Sequence, residues 1–100
     1  MKVHRIFCGL QTPHLTTEQA DQLVRDLALA HFPKGHTIYQ AEGRWAGVSV
    51  ECSEQTLIVE VWEVSGFGSP PVTDFAADYK DLGRQEAVVI LSTPSEALVI

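Results

Sequence analysis

Two strand-like segments, residues 36–45 and 56–64, place the strongest constraint on how this chain can fold. In the first, Gly43 and Trp45 lie two apart and therefore share one face of a strand. A residue without a side chain beside one of the largest predicts a close packing contact. The second segment alternates strictly, with three apolar residues on one face: Leu57, Val59 and Val61. Together they predict the middle of a small α+β domain.

The remaining periodicity predicts two helices and two further strands around this centre. Apolar spacing indicates helices over 16–31, with Thr16 and Gln19 in a capping-box pattern, and over 72–84, with Thr73 as cap. Strands are expected at 3–10 and 86–92, with extra strand structure at 48–52 and a short edge strand at 97–100. The order predicts one domain, 1–100: an α+β ferredoxin-like βαββαβ sandwich with an extra short C-terminal strand, helices on one face of an antiparallel sheet.

Alternation also assigns faces to the predicted strands. The side of the second strand with Thr37, Tyr39, Ala41, Gly43 and Trp45 is expected to pack against the helices. The opposite sheet face is too apolar to stay bare and too charged to form a core. We therefore expect a second copy or a ligand to cover it, and predict a homo-oligomer, a dimer or trimer. That face carries Val3, Arg5, Phe7, Ile38, Gln40, Glu42, Arg44, Ile58, Glu60, Trp62 and Val64.

Length and charge limit the classes of function. One hundred residues form one domain, so a sizeable ligand is expected at a subunit boundary. A net charge of −6 with seven scattered basic residues argues against nucleic acid polymers, although a small anionic ligand remains compatible. Two cysteines and no export or membrane signal predict a cytoplasmic protein without membrane contact.

Six residues of the second sheet face form the main candidate site: Arg5, Gln40, Glu42, Arg44, Glu60 and Trp62. Guanidinium, indole and carboxylate groups side by side could hold a planar polar ligand by stacking and hydrogen bonds. Cross-strand ion pairing combined with a dimer contact explains the same residues. Both interpretations stay open.

The Gly/Pro-rich segment 65–71, SGFGSPP, gives a second candidate site. Ser65, Gly66, Gly68 and Ser69 precede a helix N-terminus, where backbone N–H groups favour an anion. Lys80 and Arg84 follow within the helix and could add positive charge. The alternative is a connection whose prolines start the helix.

Metal, thiol and carboxylate chemistry find less support. His4, His14, His31 and His36 lack paired metal-ligand spacing, so no metal or cofactor is predicted. Nothing local activates Cys8 or Cys52. Glu42 and Glu60 could share a proton across neighbouring strands as an acid–base pair, although a nearby arginine favours salt bridging.

The segment FPKGHTIYQAEGRWAG, followed by a glutamate before TLIVEVW, resembles a small family of uncharacterised proteins of bacteria and their phages. Around the glutamate this chain reads Ser53-Glu54-Gln55, where the family tends to have Glu-Pro-Ser or Glu-Ser. The overall pattern is also similar to PII-like and dimeric α+β barrel proteins, which implies oligomers that bind small molecules between subunits. The matching residues are Phe32, Gly35, Thr37, Ala41, Gly43, Trp45 and Glu54.

Three functional hypotheses follow. The leading one is a non-enzymatic oligomer that binds or sequesters a small ligand, a nucleotide being one candidate, as a phage counter-defence protein would. The second is a protein inhibitor of a host enzyme. The third is a small dimeric α+β barrel enzyme that uses Glu42, Glu60 or His36 as acid or base.

Overall fold

The structure, a computed structural model, describes the backbone of residues 1–46 and 51–96 and the side chains of residues 1–42 and 54–96. Its strands form one antiparallel sheet in the order β2-β3-β1-β4, which confirms the ferredoxin-like α+β prediction. The predicted edge strand at 97–100 lies outside the described residues, as does most of 48–52. The elements are β1 (Lys2–Gly9), α1 (Thr17–His31), β2 (Thr37–Ala46), β3 (Glu51–Glu63), α2 (Val72–Leu82) and β4 (Val89–Pro94).

Helix α1 begins as its sequence predicts. The Thr16 hydroxyl accepts from the Gln19 N–H at 3.1 Å, and the Gln19 side chain accepts from the Thr16 N–H at 3.0 Å. These two bonds satisfy N–H groups that the first helical turn leaves without partners. The buried stripe of α1 is Ala20, Val24 and Ala28, spaced four residues apart along one face of the helix.

Helix α2 differs from the prediction at both ends. It begins after Pro71, which has no capping side-chain bond, so the expected cap at Thr73 is wrong. It ends at Leu82, and the next residue, Gly83, is buried where the chain turns back. Phe75 and Tyr79 are fully buried and anchor the helix to the sheet. None of the helices in the described parts of the chain is both long and apolar enough to cross a membrane.

The core lies between the two helices and one face of the sheet. Ile6 and Cys8 of β1 pair with Val59 and Leu57 of β3, and all four side chains are completely buried. Because directly opposite residues share a face, this register fixes the helix-facing side of the sheet. We call the other side the open face. It carries Arg5 and Phe7 of β1, as predicted.

The predicted sides of β2 are wrong. Ile38 pairs with Val59 and packs against the core, whereas Tyr39 pairs with Ile58 on the open face and is 38% exposed. Gln40 and Glu42 therefore lie on the helix-facing side, not beside Arg5. Both sides of β2 mix apolar and polar residues, so the sequence pattern alone does not determine which side faces the helices. The register with β3 determines it. For the rest of β2, Gly43 to Ala46, only the backbone is described, so the side chains of Arg44 and Trp45 are not placed.

Strands β2 and β3 extend further than β1. Their pairing continues to Ala46 and Glu51, whereas the last pair between β1 and β3 is Gly9 with Thr56. One more backbone bond, from the Leu10 N–H to the Gln55 carbonyl at 2.9 Å, closes this end. β2 and β3 therefore project beyond the end of β1, and we call the place where β1 ends beside them the step.

Candidate functional site

The open face brings three of the predicted ligand-binding residues together. Arg5 and Glu60 are directly opposite and form an ion pair, with Nε and Oε1 2.9 Å apart. The Trp62 indole N–H donates to the other Glu60 oxygen at 3.2 Å. A hydrogen bond with Tyr39 raises the pKa of Arg5, and Glu60 adds to this effect. Cross-strand ion pairing is therefore present, and a ligand role for these residues stays a prediction.

The other predicted residues are distributed elsewhere. Gln40 and Glu42 lie on the opposite side of the sheet from Arg5, as described above. Lys80 lies exposed on α2, and Arg84 is exposed just beyond its end with a φ of 50°. Since α2 packs on the helix-facing side, Lys80 lies on the other side of the sheet from Arg5 and Glu60, and a ligand role for Lys80 and Arg84 stays a prediction.

An aromatic groove of about 880 Å³ lies between the turn after α1, the end of β3 and the loop before α2. Trp62 and Phe67 line it and are 46% and 86% exposed. Two residues of the predicted anion loop, Gly68 and Ser69, also line it, and Ser65 and Gly66 are exposed nearby in the chain. The first turn of α2 already carries a carboxylate, Asp74, which reduces the attraction of that helix end for an anion.

A second groove, of about 470 Å³, lies at the step where β2 and β3 pass the end of β1. We call it the Glu54 groove. Of the predicted site residues it contains Gln40 and Glu42. Polar side chains from both long strands surround it, together with the first residue after β1: its lining is Leu10, Gln40, Ala41, Glu42, Glu54, Gln55 and Thr56.

Gly9 determines where the Glu54 carboxylate lies. A Cβ on Gly9 would stand 2.5 Å from Glu54 Oε1 and 2.8 Å from its Cδ. Only a residue without a side chain leaves this space, so the carboxyl group rests against the end of β1. The Tyr79 hydroxyl donates to the Gly9 carbonyl from α2, which holds the same backbone from the helix side. Burial raises the pKa of Tyr79, and electrostatic repulsion from Cys8, when its thiol is ionised, and from Glu54 raises it further.

Thr56 supplies the second unusual feature of the groove. The residue is 5% exposed, and its hydroxyl oxygen has no hydrogen-bond partner among the described residues. Buried polar groups in proteins are nearly always paired, with protein atoms or with ordered water, so this hydroxyl is unusual among the described residues. Alternation along β3 places Glu54 and Thr56 on the open-face side and Gln55 on the helix-facing side, so this groove is lined from both sides of the sheet where β1 ends.

Sequence reasoning could recover only part of this groove. Glu54 belongs to the motif that resembles an uncharacterised family, and this is the signal that marks it. The contacts of Gly9 with Glu54 and Tyr79, and the missing partner of Thr56, depend on tertiary structure.

Histidine and cysteine side chains do not build a metal site in the described parts of the chain, where no three potential ligands gather. His31 Nε2 lies 2.8 Å from an Asp78 oxygen, and His36 Nδ1 donates to the Phe32 carbonyl at 2.9 Å. Burial raises the pKa of the Cys8 thiol to about 12. The thiol is therefore protonated near neutral pH and is a poor nucleophile.

The fold and its groove define a small ferredoxin-like α+β domain. Residues 4–98 match the family described as Protein of unknown function (DUF3574), and the chain belongs to that family. This agrees with the resemblance to a small uncharacterised family.

Other comparisons show likeness to proteins of known name. The chain is 35% identical over 81 residues to an anhydro-N-acetylmuramic acid kinase of Acaryochloris marina (strain MBIC 11017). The match includes 76% of this chain but spans only 21% of the length of that kinase.

Two solved structures share the fold. A phage SAM lyase in complex with S-methyl-5'-thioadenosine gives a TM-score of 0.71 at 16% identity, over 92% of this chain and 79% of that one. A phage SAM lyase in the apo state gives 0.66 at 16% identity, over 92% and 78% of the two chains.

Proposed function

We propose that this protein binds a small nucleoside-type ligand in the Glu54 groove. The observation that carries this proposal is the buried Thr56 hydroxyl, which has no hydrogen-bond partner among the described residues and lies in a groove that Glu54 also lines. A carboxylate is the usual partner of ribose hydroxyls in nucleotide sites. Side-chain amides such as those of Gln40 and Gln55 can pair with the edge of an adenine base. The groove volume of about 470 Å³ lies within the range of small-molecule sites.

The charge of the groove narrows the class of ligand. The sequence alone favoured a small anion, but the Glu54 carboxylate lines this groove and the chain has a net charge of −6. A carboxylate-lined site repels phosphate and favours a neutral or cationic compound. We therefore propose a neutral nucleoside or a cationic derivative in place of a nucleotide.

The likeness to two phage SAM lyase structures supplies probes of this class. S-methyl-5'-thioadenosine is a neutral nucleoside thioether, and S-adenosylmethionine carries a sulfonium cation. Calorimetric titration with these two compounds, and with adenosine monophosphate as the anionic comparison, tests the ligand class. We expect uptake of a neutral or cationic probe and weaker uptake of the nucleotide.

Matched variants test the location. Glu54→Gln removes the charge without changing the shape, and loss of a charge-assisted hydrogen bond costs about 1.5–3 kcal/mol, roughly a tenfold or larger loss of affinity. Glu86→Gln, on an exposed carboxylate before β4, is the control and should leave the affinity unchanged. Equal affinity in Glu54→Gln and the unsubstituted protein, or no uptake of any probe, contradicts the proposal.

The aromatic groove provides the competing location. Trp62→Ala removes its exposed indole, which also binds Glu60, and leaves the Glu54 groove intact. If Trp62→Ala weakens binding and Glu54→Gln does not, the ligand occupies the aromatic groove and the proposal for the Glu54 groove is wrong.

Catalysis is a second candidate function because the fold resembles that of a lyase. Incubation of the protein with S-adenosylmethionine, followed by chromatography of the solution, distinguishes ligand binding from catalysis. Recovery of unchanged compound supports binding or sequestration, whereas a product whose formation needs Glu54 supports an enzyme. Inhibition of a larger protein partner is the second hypothesis from the sequence, and a pull-down from host lysate tests it: retention of one protein at stoichiometric amounts supports inhibition.

A further inference from the structure

Three neighbouring strands bring a hydroxyl, an imidazole and a carboxylate into one line. His4 of β1 has Nδ1 2.6 Å from Ser92 Oγ of β4 and Nε2 3.1 Å from Glu63 Oε1 of β3. His4 and Ser92 are directly opposite in the register of the two strands. None of the three residues lines either groove described above.

The partners of His4 determine its tautomer. A carboxylate can only accept a hydrogen bond, so the neutral imidazole carries its proton on Nε2 and donates it to Glu63. Nδ1 is then the unprotonated nitrogen and accepts the hydrogen bond of the Ser92 hydroxyl. The order hydroxyl, imidazole and carboxylate is that of a serine nucleophile, its general base and the group that orients the base, with the two ring nitrogens exchanged relative to the familiar triad.

A reactive serine must be accessible while its base is shielded from water, and the exposures of these three residues meet both conditions. His4 is only 7% exposed and the Glu63 side chain 25%, so the base and its carboxylate are shielded from water. Ser92 is exposed on β4, which is an edge strand among the described residues. An edge strand directs alternate backbone N–H groups away from the sheet, and such groups can stabilise a developing oxyanion.

We infer that Ser92 is a nucleophile toward small activated esters. In the step, Oγ forms a bond to the carbonyl carbon while its proton moves to His4 Nδ1, and Glu63 stabilises the resulting imidazolium. The alcohol then leaves with that proton as the C–O bond of the ester breaks. Water, deprotonated by His4, then attacks the acyl carbon; the bond from this carbon to Ser92 Oγ breaks, Oγ takes the proton back from His4, and the carboxylic acid is released.

A fluorophosphonate reagent tests this reactivity without knowledge of the natural ester. Attack by Ser92 forms an O–P bond and releases fluoride, so intact-mass spectrometry detects one adduct and peptide mapping locates it. We expect a single adduct at Ser92, its absence in Ser92→Ala, and an unchanged rate in Thr73→Ala, which removes an exposed hydroxyl on α2. An adduct elsewhere, or none, overturns the inference.

Glu63→Gln separates a catalytic arrangement from a simple hydrogen bond between strands. The variant retains the side-chain shape and Ser92, but it removes the charge that stabilises the imidazolium. We expect the labelling rate, and the burst of p-nitrophenol from p-nitrophenyl acetate, to fall at least about tenfold. Equal rates in Glu63→Gln and the unsubstituted protein, with equal thermal midpoints, overturn the inference. Nucleoside binding in the Glu54 groove should not change in Ser92→Ala, so the two proposals fail independently.

Discussion

Two ionisable side chains, Cys8 and Tyr79, are enclosed in the core next to the Glu54 groove. Both are completely buried. Burial raises the pKa of Cys8 from its ordinary value of 9.0 to about 12 because the thiolate loses its hydration. Burial also raises the pKa of Tyr79, and repulsion from Glu54 and from an ionised Cys8 acts in the same direction. The folded state therefore keeps both groups neutral at pH values where an unfolded chain would ionise them.

We predict that the free energy of unfolding falls with rising pH above about pH 9. The folded-state pKa of Cys8 is raised, so the unfolded chain loses this proton first and stability is lost between about pH 9 and about pH 12. Urea unfolding at a series of pH values measures the decline. Cys8→Ala should show a shallower decline, and parallel curves for the two proteins would contradict the assignment.

Gly9 allows a test that separates binding from stability. In Gly9→Ala the new Cβ would overlap the Glu54 carboxylate, which ends a flexible side chain and can move away. We predict loss of probe affinity in the Glu54 groove with a small change in thermal midpoint. Gly83→Ala is the contrast, because its Cβ would meet the Tyr79 backbone oxygen at 2.8 Å and should destabilise the fold. A Gly9→Ala protein with full affinity would show that the position of the carboxylate does not matter.

At the scale of elements, the capping box of α1 is the clearest case in which a local sequence signal sets where a helix begins. Two reciprocal hydrogen bonds join Thr16 and Gln19. We predict that Thr16→Ala lowers the free energy of unfolding by about 1 kcal/mol, the usual contribution of such a cap. Thr17→Ala, on the exposed next residue, should lower it much less. Chemical denaturation measures both, and equal losses would mean that the cap contributes nothing.

The sequence predicts elements well where one local signal dominates. The cap and spacing of α1 and the strict alternation of β3 both indicate the observed structure. β2 lacks such a signal because Ile38 and Tyr39 place large side chains on opposite sides of the strand. The pairing with β3 determines which side faces the helices. α2 begins at a proline pair instead of a hydroxyl cap, and β4 begins at Val89, three residues later than predicted. Predictions of where an element begins are thus wrong where packing outweighs the local conformational preference of the sequence.

At the scale of the whole molecule, the open face keeps large apolar side chains in contact with water. Tyr39 is 38% exposed, and Val89 and Leu91 of β4 are each 46% exposed. The register places all three on the same side as Phe7 and Arg5. An apolar row of this kind is typical of an interface between copies of a chain.

We predict a homo-oligomer that buries the open face. Native mass spectrometry and light scattering measure the mass, and Leu91→Glu should shift it toward the monomer because a buried carboxylate is costly. Leu29→Glu is the matched control, since Leu29 is 65% exposed on α1, away from the open face. A monomeric unsubstituted protein would contradict the prediction.

The candidate sites show why function is harder to predict than fold. The motif residue Glu54 is visible in the sequence, but its contact with Gly9 joins positions 45 residues apart. The hydrogen bonds of His4 join it to Glu63 and Ser92, which are 59 and 88 residues away. Separations of this length leave no local spacing to recognise. The Arg5–Glu60 pair is also distant, yet alternation on well-defined strands placed both residues on one face.

The central position of β1 has a consequence for how the protein is made. β1 pairs on one side with β3 and on the other with β4, so that Lys2 lies opposite both Glu63 and Pro94. During synthesis the first strand emerges long before either neighbour, and the sheet cannot close until β4 has left the ribosome. Such non-local pairing slows folding and leaves the apolar residues of β1 open to chaperones or to aggregation. Truncations that remove β4 should therefore yield chains that do not fold.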